Sequence, residues 1–471
     1  MYDNARVQIT GWIGVCAVLA GCGQSGGGPQ EPAFTPWSLE LPDAGDSMGQ
    51  RRGLFPARGI IHLHSPYSHD ACDGKPRDDI TGALDEECLA DMRAALCATR
   101  VDFAALTDHD DSMALAEFED LLLPRGDDVV LDSTSRMRCE NGHEVVFYIG
   151  GENDVMPIMI DRHPDGTAAE RADIYNSDTP EAAAMFREIG GHVIVNHTEQ
   201  WTAEKVGALA PDGIEIYNIH ANIDPDIRER FLGLSPAGGI TAALEFADTS
   251  EQGPEPDLAV LSFLEDNTVA LEIWDSLLGE GVRLFGVAGT DAHQNTLPLE
   301  LRDGERGDSY RRMIRWATNI ALVADPNDPD QIEAAVTAGR MFVAFEILGT
   351  PVGFDVVAKA GSDAVELGGE VDPAAGYTLE VTVPALYQPD PDLPAPEISA
   401  RILRVDATGT HELATGEGPT LTAPIDRPGA YRVEVAMTPL HHGPRLGNLG
   451  PDHAQRQHVW VYSNPIYAVA P

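Results

Sequence analysis

Three histidines, His62, His64 and His69, fall within the stretch IHLHSPYSHD of a chain that has 15 histidines in 471 residues. His62 and His64 are two apart, so on a strand they share a face. The same residue types recur after other apolar runs. FAALTDH ends in Asp108 and His109, VVFYIGGE in Glu152, HVIVNH in His197, and LFGVAGTDAH in Asp291 and His293, while GIEIYN carries Glu215. Imidazoles and carboxylates without thiolates suit Zn, Mn or Fe bound by nitrogen and oxygen. Any one of these histidines alone is more simply a satisfied core residue. Eight or more such ligands exceed what one tetrahedral ion takes, so together they point to two or three divalent ions.

The elements that must position these groups follow from periodicity. GIIHLH, VDFAALTDHD, EVVFYIGGE (144–152), HVIVNH (192–197), GIEIYN (213–218) and RLFGVAGTDAH are short, nearly continuous apolar runs, the pattern of strands covered on both faces. Amphipathic stretches separate them: 81–99, 112–123, a helix opened by Thr179-Pro180 and stopped at Gly190-Gly191, and 268–279. TNIALVAD, a helix around Gln331–Ala338 and MFVAFEIL complete this part. Alternating strands and helices predict an α/β fold with a parallel sheet, and the ligand-bearing strand ends fall on the side where such folds build their sites. Periodicity leaves an open sheet and a closed barrel equally allowed.

After about Thr350 the texture changes. YTLEVTV, ISARILRV, YRVEVAM and HVWVYS alternate with period two between Pro, Gly and Asp turns, predicting an antiparallel β-sandwich. PALYQPDPDLPAPE (384–397) is a Pro-rich loop between two of its strands. His441, His442, His453 and His458 lie in this region away from any ligand-bearing strand end and read as surface or structural residues.

HLHSPYSHD, ALTDHD, GGE, VNH, EIYN and GTDAH resemble, in order, the motifs of the PHP (polymerase and histidinol phosphatase) superfamily, over about residues 59–345. GRMFVAF and HVWVYSNPIYA resemble the branch that includes carbaryl-type hydrolases (CehA/McbA-like). The resemblance implies a distorted seven-stranded (β/α) TIM-like barrel with a multinuclear metal site. It implies metal ligation by His62, His64, His69, His109, Glu152, His197, Asp291 and His293, with Glu152 bridging two ions. After EIYN, where many members place another His or Cys, His220 is nearby and Glu215 is either a ligand or a support. Two or three ions therefore both remain open.

Metal ions that acidify a bound water make hydroxide available at neutral pH, so no Ser or Cys nucleophile is needed. Glu152 and Asp291 would act at the metals, and His220 or Asp110 could give a proton to the leaving group. A small phosphate ester is the expected substrate, and a carboxylic or carbamate ester the alternative. A phosphate would want arginine, and Arg302, Arg306, Arg311, Arg312 and Arg315 follow GTDAH. The adjoining acids make an ion-paired helix face the simpler reading of that cluster. The alternative of another class is a non-catalytic metal-containing protein that binds a partner at the cell surface.

Bulk properties set the setting. The formal net charge of -45, from 76 acidic and 31 basic residues, weighs against nucleic acid and anionic lipid as partners. Arg6 precedes the apolar run ITGWIGVCAVLA, which is too short to span a bilayer, and Leu19-Ala20-Gly21-Cys22 resembles a bacterial lipobox. The reading is a signal over 1–22, a tether over 23–55 rich in Gly, Pro, Ser and acids, a hydrolase barrel over 56–348 and a β-domain over 349–471. A lipid on Cys22 would anchor the chain to the envelope, at the outer membrane facing periplasm or cell surface. Cys72, Cys88, Cys97 and Cys139 remain, enough for two disulfides with three possible connectivities.

Overall fold

A computed structural model describes residues 38–78, 80–109, 113–153, 155–250 and 252–470. The expected signal, Cys22, residues 23–37 of the tether and Asp110 lie outside the described residues. Among the described residues no helix is long and apolar enough to cross a membrane.

The chain is mixed α/β with a large sheet. Its strands start with β1 (Phe55–Leu63), β2 (Phe103–Leu106), β3 (Glu144–Ile149), β4 (Met156–Ile158), β5 (His192–Val195), β6 (Gly213–Asn218) and β7 (Phe285–Ala292). β1 pairs parallel with β2, β2 with β3, β5 with β6, β6 with β7, and β7 with β1. Short β4 runs antiparallel to β5, and a bridge from Ile149 to Ile160 closes the ring into a barrel. Ile61, Ala105, Tyr148, Ile158, Ile194 and Val287 are buried within one apolar cluster, and helices cover the outside. The local signals explain the helices. Asp85 caps Glu86–Ala98 by accepting from the amides of Glu87 and Cys88. Thr179 caps Pro180–Glu188 with proline at the first position, and Asn267 caps Thr268–Gly279.

Two parts depart from the periodicity. Of the helix expected over 112–123, the described residues give one turn, Phe118–Leu121, because Leu115 faces solvent at 73% exposure instead of joining the buried Leu121 and Leu122. The end of the expected tether is folded: Ala44 and Met48, the apolar residues of a short helix Ala44–Met48, are buried, as is Leu41 before it.

The sheet does not stop at the barrel. β8 (Thr318–Val323) pairs antiparallel with Phe55–Gly59 of β1, β9 (Met341–Ala344) follows, and the strand His458–Ser463 pairs with β9. Glu397–Asp406, Gly409–Gly416 and Gly429–Thr438 continue from there. A separate four-stranded sheet, with Asp355–Ala360 and Thr378–Thr382 at its centre, shares the apolar core with Ile402 and Val433. The described residues thus form one compact unit, with strand pairing across the 348/349 boundary. The cysteines pair as Cys72–Cys88 and Cys97–Cys139.

Candidate metal centre

The seven-strand ring delivers its histidines and acids to one end. His62 and His64 leave β1 where its register shifts between Ile61 and Leu63, a bulge that re-aims the side chain. His109 follows β2 and bridges to Glu152 beyond β3, His197 follows β5, and Asp291 and His293 close β7. His62, His197 and Asp291 hold positive φ values of 79°, 43° and 48°. Such left-handed conformations at non-glycine residues cost about 1–3 kcal/mol each and persist only where the surroundings enforce them.

Two carboxylates sit at the centre, each dividing its oxygens. Glu152 Oε2 lies 3.1 Å from His62 Nε2 and 3.0 Å from His64 Nε2, while Oε1 lies 2.8 Å from His197 Nε2. Asp291 Oδ1 lies 3.4 Å from His62 Nε2 and 3.1 Å from His64 Nε2, and Oδ2 lies 3.0 Å from His220 Nδ1. Two groups of potential ligands result, His62/Glu152/His197/Asp291 and His64/His109/Glu152, each with its ligand atoms within 4.8 Å of one another, and both containing Glu152. Such clusters are compatible with divalent metal ions.

The other ring nitrogens explain the orientation. His62 Nδ1 donates to Glu215 Oε1 at 2.6 Å, and the second oxygen of Glu215 accepts from the His197 amide and from Asn218, each at 2.8 Å. Ser68 gives its proton to Asp70, so its Oγ accepts from His64 Nδ1 at 3.0 Å. His109 Nδ1 faces the Glu152 carbonyl at 3.3 Å, and His293 Nδ1 the Asp291 carbonyl at 2.6 Å. His197 Nδ1 is directed at Glu199 Oε1, 3.9 Å away, and Asn267 donates to the other oxygen of Glu199. With Nδ1 so engaged in His62, His64, His109 and His293, Nε2 is the atom those rings offer to the centre, whereas His197 makes its hydrogen bond through Nε2, to Glu152 Oε1, and its Nδ1 has no hydrogen-bond partner. The Nε2 atoms of His62 and His64 are buried beside the carboxylates without making a hydrogen bond, as expected of atoms aimed at a shared cation. The residues present therefore fit a divalent metal site.

Charge sets the ionisation. Burial alone would depress His64 and His197, but Asp291 and Glu152 for the first and Glu152 for the second raise both to about 10. Burial also opposes ionisation of Glu152 and Asp291, yet His62 carries both well below the usual carboxylate range. Burial pushes Asp108 up to about 6, and its oxygens accept from the Ser65 amide and hydroxyl at 2.6 and 2.7 Å, which fixes the loop after β1.

Most of the residues singled out in the sequence converge here, and His220 joins them through Asp291, with its side chain 41% exposed. His69 does not: it is exposed, and its ring lies against that of His109 at 5.0 Å. Its neighbour Asp70 instead places Oδ2 at 3.3 Å from His109 Nε2 and 3.5 Å from His293 Nε2. Asp70, Asn196, which donates to Glu152 at 2.8 Å, and Glu199 were not singled out. The signal for Asp70 was its place one residue beyond His69, and for Glu199 two residues beyond His197. The arginines are engaged with acids: Arg311 and Arg312 with Asp257, Arg306 with Asp73 and Asp308, Arg302 with Glu255, and Arg315 with Asp257.

No protein-family model and no curated protein matches the chain. Among solved structures it is similar to a two-domain protein from Bacteroides vulgatus containing a predicted PHP-like metal-dependent phosphoesterase. The identity is 12% over 92% of this chain and 100% of that one, with a TM-score of 0.32. At that score the likeness has no weight for the activity.

Proposed function

We propose that this chain is a metal-dependent hydrolase of the PHP type, acting on a small phosphate ester, in a distorted (β/α)7 TIM-like barrel with a C-terminal β-sandwich. The reading rests on one observation: two ligand groups share Glu152 and contain four imidazoles, of which His62, His64 and His109 hold Nδ1 against a polar partner. His62, His64, His109, Glu152, His197, Asp291 and His293 would hold two or three Zn, Mn or Fe ions, with Asp70 taking the place first given to His69. Such ions supply, when bound, Lewis acidity toward a substrate oxygen and an acidified water at neutral pH. Glu215 fixes the His62 ring and Asn196 fixes Glu152, so that neither group reorganises during reaction. His220, partly exposed and held by Asp291, is the group placed to hand a proton to a leaving oxygen. The engagement of Arg302–Arg315 with acids leaves phosphate no ready guanidinium there, which favours the carboxylic or carbamate ester as the second reading. The acidic surface disfavours nucleic acid, and the lipobox-like Leu19–Cys22 supports a lipid-anchored place in the bacterial envelope.

Elemental analysis of the purified chain, with assays of p-nitrophenyl phosphate, bis(p-nitrophenyl) phosphate and a naphthyl carbamate, tests this. About two or more ions per chain are expected. Chelator should abolish turnover, and His62→Ala and Asp291→Ala should each lower it at least about a hundredfold. Preferred turnover of the carbamate would move the assignment to carbonyl chemistry. No metal and no turnover after loading with Zn, Mn and Fe would leave the non-catalytic binding protein.

A further inference from the structure

The histidines of the metal centre differ in what stands behind them. In the group His62/Glu152/His197/Asp291, the partner of His62 Nδ1 is a carboxylate, Glu215 Oε1 at 2.6 Å. In the group His64/His109/Glu152, His64 Nδ1 meets the Ser68 hydroxyl at 3.0 Å and His109 Nδ1 a backbone carbonyl at 3.3 Å. His293, beside that second group, meets another carbonyl at 2.6 Å, so all three partners there are neutral oxygens. Burial differs in the same sense. The side chains of His62 and Glu215 are wholly buried, whereas those of His109 and its neighbour Asp70 are 25% and 28% exposed.

His197 is the exception. Its amide donates to Glu215 at 2.8 Å, but its ring makes its hydrogen bond through Nε2, to Glu152 Oε1, and Nδ1 is buried without a partner. Glu199 Oε1 lies 3.9 Å from that Nδ1 and is likewise buried without a partner. The other oxygen of Glu199 accepts from Asn267 Nδ2 at 2.9 Å. Asn267 Oδ1 in turn accepts from the Ala270 amide at the start of the helix Thr268–Gly279, so the carboxylate is fixed in place. A buried polar atom left without a partner is costly, and here two of them face one another. One change relieves both. A neutral ring whose Nε2 holds a cation carries its proton on Nδ1, and Glu199 Oε1 is the acceptor that this proton faces.

We propose that Glu199 is the positioning residue of His197 and that, with Glu215 behind His62, it makes this group the one that takes the first divalent cation, while His64, His109, His293 and Asp70 take a cation second and release it first. The inference rests on the metal-centre reading above and adds to it an order of loading. Carboxylates behind both imidazoles raise the basicity of their Nε2 atoms and place negative charge in a buried position, where it acts strongly on a cation. The neutral oxygens behind His64, His109 and His293 add no charge, and Asp70, the carboxylate between His109 and His293, is partly exposed to water.

Stepwise addition of zinc to the purified, metal-free chain labelled with nitrogen-15 in its histidines tests this. Long-range proton–nitrogen correlations show which ring nitrogen carries a proton, with signals assigned by single histidine substitutions. The first equivalent should move the Nε2 signals of His62 and His197 and place a proton on His197 Nδ1. The second should move those of His64, His109 and His293. Competition with a chromophoric chelator should give two affinities at least about tenfold apart. Glu199→Gln keeps an acceptor for Asn267 but turns an amide toward Nδ1. It should weaken the first step about 10- to 100-fold while the circular dichroism of the metal-free chain stays that of the parent. Ser68→Ala, which removes the partner of His64 Nδ1, should weaken the second step alone. If Glu199→Gln fails to fold, the Nδ1 proton of His197 in the zinc-loaded parent decides. Filling of the second group first or of both groups together, a His197 Nδ1 without a proton in the loaded parent, or a folded Glu199→Gln with parent affinity overturns the assignment and leaves the metal centre standing. A folded chain that binds no zinc overturns both.

Discussion

At the scale of single residues the centre is an arrangement of nitrogens. His62, His64, His109 and His293 each have Nδ1 held by a neighbour, and the hold on His62 by Glu215 is shorter than that on His64 by Ser68. Glu215→Gln keeps the size and the reach to Asn218 but removes the charge that keeps Nδ1 protonated. Zinc affinity, measured by competition with a chromophoric chelator, should fall about 10- to 100-fold while the circular dichroism stays that of the parent. An unchanged affinity would mean that Glu215 serves packing alone. The converging ligands were legible in the sequence because each ends an apolar run, and strand ends of a parallel ring share a rim. Asp70 was not, because His69 is the more obvious ligand type and only the turn after Pro66 decides which side chain faces inward. Glu215 read equally as a ligand or as a support, since a two-residue period gives the face but not the partner.

Secondary-structure elements fix how close these residues can come. Gly289 in β7 lies where an added Cβ would be 2.0 Å from Glu215 Oε1 and 3.1 Å from His62 Nδ1, so the pairing of the two needs a bare backbone on the neighbouring strand. Gly289→Ala should therefore displace Glu215, cost about 1–3 kcal/mol in denaturant unfolding of the metal-free chain, and weaken metal binding with it. A variant with parent stability and parent affinity would show that the strands move apart at no cost. Helices with both start and stop signals, such as Pro180–Glu188, were legible to within a residue or two. Short β4 was not, since three residues containing Pro157 carry no period and proline argues against a central strand. The disulfide connectivity was equally hidden, because Cys72–Cys88 and Cys97–Cys139 depend on how the loop after β1 and the segment before β3 meet the helix Glu86–Ala98.

At the scale of the molecule, the change in texture near Thr350 marks a change of architecture but not a break in the structure. Strand pairing between residues more than a hundred positions apart leaves no trace in local periodicity, so the continuity of β9 with His458–Ser463 could not be read from the sequence. That continuity reaches the site. Asn464 accepts from the Gly286 amide at 2.7 Å and donates to the carbonyls of Gly286 at 3.0 Å and Met341 at 3.2 Å, tying the C-terminal strands to β7, the strand that carries Asp291. Trp460 adds a bond from its indole to the Gly349 carbonyl and accepts one from the Phe345 amide. Replacing Asn464 by Ala removes the side-chain partners of the buried Gly286 amide and carbonyl, while Met341 keeps its bond from the residue 464 amide, and should cost about 2 kcal/mol or more. A chain ended at residue 348 keeps β8 beside β9 but loses the strand on its other edge, exposing that edge, so it should fail to fold or should aggregate, and with it the metal should be lost. Two separable thermal transitions in the full chain, or a soluble 1–348 fragment that holds metal with parent affinity, would show instead that the barrel is self-sufficient. The shared sheet argues for a single transition in which the C-terminal region and the metal centre are lost together.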